Sequence, residues 1–464
     1  METGKSFFFV GIGGSGMMPL AMILAGRGAR VAGSDRSLDS GRLPAKFDDL
    51  AARGIALYPQ DGSGIVSADQ IVVASAAVEA TVPDMVAAEA VGAQRMTRAE
   101  LLASLFNASA SRIGVAGTSG KSTVTGMIGW ILHTLGLDPT VMNGAVMKNF
   151  ASPQAPFASA LVGEGAAFVS EVDESDGSIA LYTPEVAVLN NVSLDHKTLE
   201  ELRTLFGDFA AKARLTVVNV GDAEAEALAD MMDRAKLMTV AIDASADLRA
   251  ENLLPERYAI SFDLVSRGER LRVRLGVPGR HNVENALAAI GAAIAAGVPR
   301  EEAAKAIEGF KGLKRRFEWV GEANGVAVID DFGHNPEKIA ATLDTLHAHP
   351  GRLLLMFQPH GYGPLKVMRR ELVEMFAEKL AEDDVLVLPD PVYQGGTTSR
   401  EVTSADIVAD VQAAGRDARH IPARDDAAAA LIAMARPGDR IVLMGARDDT
   451  LSLLAQRMLT DLSG

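Results

Sequence analysis

A seven-residue stretch, Gly117-Thr118-Ser119-Gly120-Lys121-Ser122-Thr123, limits the folds open to this chain more than any other segment. The apolar run Ile113–Ala116 before it reads as a strand. After it, Val124, Ile128, Ile131, Leu132 and Leu135 recur at helical spacing. A strand, a glycine loop carrying lysine and hydroxyl, and then a helix form an arrangement that holds a nucleotide triphosphate. Backbone N–H groups of such a loop and of the helix N-terminus face the phosphate oxygens. Lys121 would reach the terminal phosphates as a point charge, and the Ser122 hydroxyl would sit on Mg²⁺. The common spacing has a glycine where this chain has Val115, so the competing reading is a plain turn that caps a helix.

Strand–helix alternation runs through the whole chain. Its 464 residues suggest about three domains of ~150 residues each. The first module has strands at Phe7–Val10, Ala29–Ala32 and Gln70–Ala74 and a helix at Gly16–Ala25; Asn107–Ser111 reads as a linker. The second has strands at Ile113–Ala116, Ala167–Ser170, Val186–Leu189 and Leu215–Asn219. An alternating pair, Ala259–Val265 and Arg270–Leu275, suggests an antiparallel hairpin added to a parallel sheet. A helix over Glu284–Ala296 stops at Gly297, with Pro299 beyond. The third module starts near Phe317, with strands at Val326–Ile329, Leu353–Phe357, Val385–Leu388 and Ile441–Met444. The expectation is an α/β protein with mainly parallel sheets. A hydrophobic content of 48% supports large cores. A net charge of −15 argues against nucleic acid as a partner. The absence of cysteine excludes disulfides, thiolate metal sites and thiol catalysis. No leader-type segment and no apolar run near about 18 residues is present, so a cytoplasmic protein without membrane insertion is expected.

Other segments carry chemistry at expected strand ends. Gly11-Ile12-Gly13-Gly14-Ser15-Gly16 follows the first strand and opens the first helix, a spacing that admits a diphosphate. Asp35 ends the second strand, where an acidic group meets a ribose or base edge. A nicotinamide dinucleotide and a UDP-sugar both fit that pattern. Glu171-Val172-Asp173-Glu174-Ser175-Asp176 ends a strand on the same sheet edge as the glycine loop, where a carboxylate can hold a metal; a solvated acidic turn is the alternative. Asp195-His196 follows the strand Val186–Leu189, which should neighbour the strand ending at Glu171. Asn282 and Asn285 share one helical face, with helix capping as the alternative. Lys314-Arg315-Arg316 is either a solvated linker or the source of an arginine for a γ-phosphate. Asp330-Asp331-Phe332-Gly333-His334 and Phe357-Gln358-Pro359-His360 put two histidines and two carboxylates at adjacent strand ends of one sheet.

Taken in order, these motifs resemble the Mur ligase family over almost the whole chain. The carriers are Gly117–Thr123, Glu171–Asp176, Asn190 with Asp195-His196, Gly279-Arg280-His281-Asn282 with Asn285, Arg315-Arg316-Phe317, and Asp330–His334. The N-terminal loop with Gly33-Ser34-Asp35 is most similar to the branch that adds L-alanine to UDP-N-acetylmuramate. The resemblance implies three domains. A Rossmann-like UDP-binding domain would span 1–108, a central P-loop ATPase-like domain 109–315, and a C-terminal Rossmann-like acceptor domain 316–464. It implies ATP on Gly117, Thr118, Ser119, Gly120, Lys121, Ser122 and Thr123, and two Mg²⁺ ions, with Ser122 on one and Glu171 and His196 on the other. It implies adenine on Asn282, ribose on Asp331, the γ-phosphate on Arg316 or Arg315, and the incoming amine near His334. Lys121, Arg316 and His334 would be catalytic, and Gly13, Gly14, Ser15, Asp35, His360 and Lys366 would bind substrates. The partners implied are UDP-N-acetylmuramate and an amino acid or short peptide, bound by a monomer or homodimer.

The chain departs from that branch in places. Ser119 and Ser122 stand where histidine and threonine are usual, and Gly361 and Gly363 stand where arginines grip the acceptor's carboxylate. Lys366, Arg369 or Arg370 are the candidate substitutes, unless the glycines make room for a bulkier acceptor. Met444-Gly445-Ala446-Arg447-Asp448-Asp449 replaces a more neutral loop, and Lys212 stands near a lysine that some members carbamylate. The alternatives are a ligase for murein tripeptide, a non-catalytic UDP-sugar binder, and a nicotinamide-dependent oxidoreductase built on Gly11–Gly16.

Overall fold

Short apolar runs become the strands of three separate sheets. The computed structural model describes residues 3–193, 197–392, 400–446 and 448–464. The first sheet is parallel, in the order Ala56–Tyr58, Arg30–Ser34, Ser6–Val10, Gln70–Ala74, Arg95–Thr97. Its strand order reverses beside Ser6–Val10, which opens a crevice at the loop after that strand. The second sheet has ten strands. From one edge they run Glu269–Leu275, Ala259–Ser266, Leu248–Glu256, Leu237–Ile242, Leu215–Asn219, Val186–Leu189, Ser111–Ala116, Ala167–Glu171, Thr140–Met142, Ala160–Leu161. The six strands from Leu237–Ile242 to Thr140–Met142 are parallel, neighbour to neighbour. The expected hairpin is present at one edge, closed by Arg267 and Gly268, both at positive φ as a tight two-residue turn requires. The third sheet runs Glu318–Ala323, Val326–Asp331, Arg440–Gly445, Leu353–Gln358, Val385–Leu388, Asp417–His420, antiparallel only at its first pair.

The chain forms two compact units. One comprises Met1–Leu253, Ser261–Gly276 and Asn282–Gly312; the other comprises Leu254–Ile260, Val277–His281 and Leu313–Gly464. In the first unit a single apolar core joins two sheets: Phe9 of the first and Phe168 and Leu189 of the second share it with Phe106 of the helix Arg98–Asn107. Phe106 meets Phe168 and Tyr182 edge-on, at centroid distances of 5.9 and 5.3 Å. Burying such a ring stabilises by about 1.5–3 kcal/mol, so this helix fixes the first sheet against the second. In the second unit the two faces of the third sheet are covered by separate clusters, one around Phe357 and Phe376 and one around Met356 and Met458.

Several expectations are corrected. The linker expected over Asn107–Ser111 is confined to residues 108–110. Asn107 ends the helix, Ser111 starts the strand, and the Asn107 side chain donates to Leu181 O and accepts from Thr183 N. The strand Val186–Leu189 does not neighbour Ala167–Glu171, because Ser111–Ala116 lies between them and pairs with both. In the third sheet Arg440–Gly445 separates the strands leading to His334 and His360. The long helix begins at Arg280, four residues before the expected start, so Asn282 and Asn285 lie inside it and are not caps. The strands Ala56–Tyr58, Arg95–Thr97, Thr140–Met142, Ala160–Leu161, Leu237–Ile242, Leu248–Glu256, Glu318–Ala323 and Asp417–His420 were not anticipated; the first four are three residues long or shorter.

Candidate active site

The glycine loop is built by backbone conformations that only glycine adopts freely. Gly117 has φ +133° and Gly120 φ +82°. A side chain at Gly120 would also collide with Asn285 Oδ1 and Asn190 Nδ2. Val115, where the common spacing has glycine, is buried within the strand and paired with Val188 and Glu171, so no turn is needed there. Two asparagines after Val186–Leu189 hold the loop. Asn191 Oδ1 accepts from Ser119 N at 2.8 Å, its Nδ2 donates to Ser119 O, and Thr118 N donates to its carbonyl. Asn190 Nδ2 donates to Ser119 O and to Asn285 Oδ1, and Asn285 Nδ2 donates to Asn282 Oδ1. The structure thus brings Asn282 and Asn285 to the loop. Asn190 Oδ1 and Ser119 Oγ are buried without a hydrogen-bond partner among the described residues. Unpaired buried oxygens are costly, and a ligand donor or water would complete them.

Lys121 and Ser122 open the helix Lys121–Thr134 and meet the acidic run across the sheet edge. Lys121 Nζ donates to Gly117 O at 2.7 Å and to Glu174 Oε2 at 2.8 Å. Ser122 Oγ donates to Glu171 Oε2 at 2.8 Å, and Asn143 Nδ2 holds Ser122 O. Gly144 leaves open the space at Glu171 Oε1 that a Cβ would fill. Oxygen donors held this close suit a hard cation such as Mg²⁺. His196, expected on a metal with Glu171, lies outside the described residues, as does Asp195. Burial pushes the Asp173 carboxyl up, but hydrogen bonds from Ser175 and the charges of Lys121 and Arg98 outweigh it, so it lies below the ordinary carboxylate range. Glu171, Asp173 and Lys121 line a cleft of about 170 Å³ together with Ser15, Gly16 and Arg98 of the first sheet's domain.

Above the first sheet, Asp35 is engaged on both oxygens by backbone N–H groups, Gly13 N at 2.9 Å and Ser37 N at 2.7 Å. Its visible work is to hold the loop Gly11–Gly16 open beside the helix Met17–Gly26, while Lys46 Nζ donates to Gly13 O. Gly13, Gly14 and Ser15 therefore present backbone at the crevice, as a diphosphate site requires. Lys212 falls elsewhere. It caps the helix Leu199–Ala211 at the sheet edge opposite the glycine loop, and its Nζ donates to Ala180 O.

The second unit assembles its own cluster. Arg315 is buried, with its guanidinium donating to Gly445 O at 2.6 Å and Asp448 O at 3.0 Å and lying 3.5 Å from Asp330. Arg316 is stacked 4.2 Å from the centre of the Phe332 ring, and its Nη1 donates to Arg315 O at 3.3 Å. Asp331 accepts from Phe317 N, Gly333 N and Thr342 Oγ1. The rings of His334 and His360 meet edge-on at 5.4 Å despite the strand between them. Burial holds the His334 pKa at about 4, helped by the charge of Lys338, and its Nδ1 faces Phe332 O at 2.9 Å. Burial raises Asp330 to about 6, against the pull of Arg315. Asp448, in the unusual loop after Arg440–Gly445, accepts from Gln358, Arg424 and Thr450. The three candidate substitutes for the missing arginines are in ion pairs: Lys366 with Glu401, Arg369 with Asp410, Arg370 with Glu374.

Glu174, Asn143 and Arg98 were not singled out as site residues from the sequence. Thr97-Arg98-Ala99-Glu100 carries a visible signal, but one for a capped helix start. Three family models match the chain. They are described as the Mur ligase family catalytic domain over residues 6–110, the Mur ligase middle domain over 115–293, and the Mur ligase glutamate ligase domain over 315–447. A UDP-N-acetylmuramate–L-alanine ligase of Streptomyces coelicolor is 36% identical, covering 98% of this chain and 97% of its own length. One from Agrobacterium fabrum is 35% identical, covering 95% and 94%. Among solved structures, a UDP-N-acetylmuramate–alanine ligase of Thermotoga maritima superposes with TM-score 0.80 at 23% identity over 98% of both chains, a likeness of fold. A murein peptide ligase of Psychrobacter arcticus gives TM-score 0.70 at 25% identity over 99% of both.

Proposed function

The chain belongs to the Mur ligase family, and from that premise we propose that it is an ATP-dependent ligase forming a carbon–nitrogen bond. Its substrates in this reading are UDP-N-acetylmuramate and an amino acid, L-alanine by default, in the cytoplasmic part of peptidoglycan synthesis. One observation carries it: the nucleotide loop, the acidic strand end and the sugar-nucleotide loop all border one cleft, through Lys121, Glu171 and Ser15. A carboxylate oxygen of the sugar attacks the γ-phosphorus of ATP, the bond to the bridging oxygen breaks, and ADP leaves with its electron pair. The acceptor amine then attacks the acyl phosphate, and the tetrahedral intermediate expels phosphate as the amide forms. Lys121 offsets charge on the transferring group. Ser122 would hold one Mg²⁺, and Glu171 with His196 a second, supplying Lewis-acid neutralisation of phosphate charge. Asn282 and Asp331 are assigned to adenosine, Arg316 to the γ-phosphate, and His360 and Lys366 to the acceptor. His334 is assigned to the incoming amine, and with its pKa at about 4 it stands neutral at pH 7 and able to accept a hydrogen bond.

A second reading, a ligase for murein tripeptide, is favoured by Gly361 and Gly363 and by the ion pairs that occupy Lys366, Arg369 and Arg370. The deciding experiment is phosphate release from ATP with UDP-N-acetylmuramate, screened over single amino acids and muropeptides. Turnover with L-alanine supports the first reading. Turnover with tripeptide alone replaces it by the second, and tight sugar-nucleotide binding without any turnover sinks both.

A further inference from the structure

Arg98 is a cation in the cleft that no hydrogen bond among the described residues commits. It is the first residue of the helix Arg98–Asn107, fixed by the reciprocal cap between Thr97 and Glu100. Its guanidinium lies against Gly16, where a Cβ would come within 2.7 Å of Nη1 and 3.0 Å of Cδ. Glycine at that position is thus what lets the side chain pass the sugar-nucleotide loop. Arg98 Nη2 stands 3.7 Å from Asp176 Oδ2, beyond hydrogen-bond length, and among the described residues the guanidinium forms no hydrogen bond. The side chain is 24% exposed and borders the cleft with Lys121, Glu171 and Asp173. A guanidinium is a planar fork of five donors matched to a carboxylate, and donors left unmade in a half-buried cleft are unfavourable. The apolar lining from Leu102, Met142 and Tyr182 strengthens any ion pair formed there by lowering the local dielectric.

We propose that Arg98 grips the sugar-linked carboxylate of UDP-N-acetylmuramate, and then the acyl phosphate made from it, across the cleft from Lys121. The proposal rests on the ligase reading above. The substrate's diphosphate is a second oxyanion within the same molecule. It belongs instead with the backbone N–H groups of Gly11–Gly16, whereas Arg98 shares its cleft with Lys121 and Glu171, the groups assigned above to the transferring phosphoryl and its Mg²⁺. Arg98 moves no proton in this role: it orients the attacking oxygen and relinquishes its loose pairing with Asp176.

The test compares Arg98→Lys, Arg98→Met and Asp176→Asn in the full chain, each first shown to melt like the parent. Calorimetry measures affinity for UDP-N-acetylmuramate and for UDP-N-acetylglucosamine, which has the diphosphate but not the carboxylate. Both Arg98 variants should bind UDP-N-acetylglucosamine within about twofold of the parent. They should lose about 10- to 100-fold in UDP-N-acetylmuramate affinity and in kcat/KM, lysine failing because it lacks the fork. Asp176→Asn should hold or improve UDP-N-acetylmuramate affinity. Equal losses for the two sugars would reassign Arg98 to the diphosphate and overturn the proposal, as would unchanged affinity in both Arg98 variants. Absence of ATP turnover by the parent chain would fail the ligase reading instead, leaving the binding comparison intact.

Discussion

At the scale of single residues, the site depends on groups whose neighbours are other site groups. Lys121, held by Gly117 O and Glu174, is assigned in the proposed reaction to the transferring phosphoryl, so Lys121→Ala is expected to lower turnover by about 10³-fold or more. UDP-N-acetylmuramate affinity, measured by calorimetry, should stay nearly intact. Ser122→Thr keeps the hydroxyl that meets Glu171 and should stay within a few-fold of the parent. Ser122→Ala should lose about 10- to 100-fold and need more Mg²⁺, read from a metal titration of phosphate release. His334 gives a pH prediction. Its folded pKa of about 4 lies below its ordinary value of 6.5, so between those values the unfolded chain binds more protons and stability falls as pH falls. Asp330, raised to about 6 from 3.8, acts oppositely, losing stability as pH rises through that window. The two slopes oppose each other in the parent. His334→Gln should therefore be less destabilised by acid than the parent over pH 6.5 to 4, judged by urea midpoints across that range. A difference that is flat with pH would refute the buried neutral histidine.

At the scale of elements, glycine and asparagine decide how strand ends become loops. Gly120→Ala meets both a positive φ and the side chains of Asn285 and Asn190, so strain of about 1–3 kcal/mol is expected. Affinity for an ATP analogue should fall at least about tenfold while UDP-sugar affinity holds; parent-like nucleotide binding would refute this account of the loop. The glycine loop, the strand Val186–Leu189 and the helix after Pro278 were legible because their signals are local: an apolar run, a lysine and hydroxyl after glycine, a Gly-Pro stop. Three-residue strands such as Ala56–Tyr58 were not, because so short a run carries no period. The antiparallel strand Glu318–Ala323 escaped notice because it is short, exposed at Trp319 and Glu322, and its register with its partner shifts between Trp319 and Gly321.

At the scale of the whole molecule, the two tryptophans report separately on the two compact units. Trp130 lies in the first, donating to Ala306 O, and Trp319 in the second, stacked on Tyr258 at 4.7 Å. With Trp319→Phe, UDP-N-acetylmuramate at about 100 times its Kd should stabilise the transition seen by Trp130 by about 2.7 kcal/mol. With Trp130→Phe, the transition seen by Trp319 should move little. Equal shifts would show that the sugar nucleotide is read by both units. The sequence alone determined the kinds of groups present, their order, and the elements that carry them, because backbone preference and side-chain chemistry are set by near neighbours. Which groups meet was set by the folded chain. Sheet order is not chain order: Ser111–Ala116 falls between the strands ending at Leu189 and Glu171, so Asn190 closes on the glycine loop. Partnership likewise follows burial and not spacing. Arg315 turned inward to Gly445 O while Arg316 stayed on Phe332, and Arg98, silent in the sequence, was carried by a capped helix into the cleft beside Lys121.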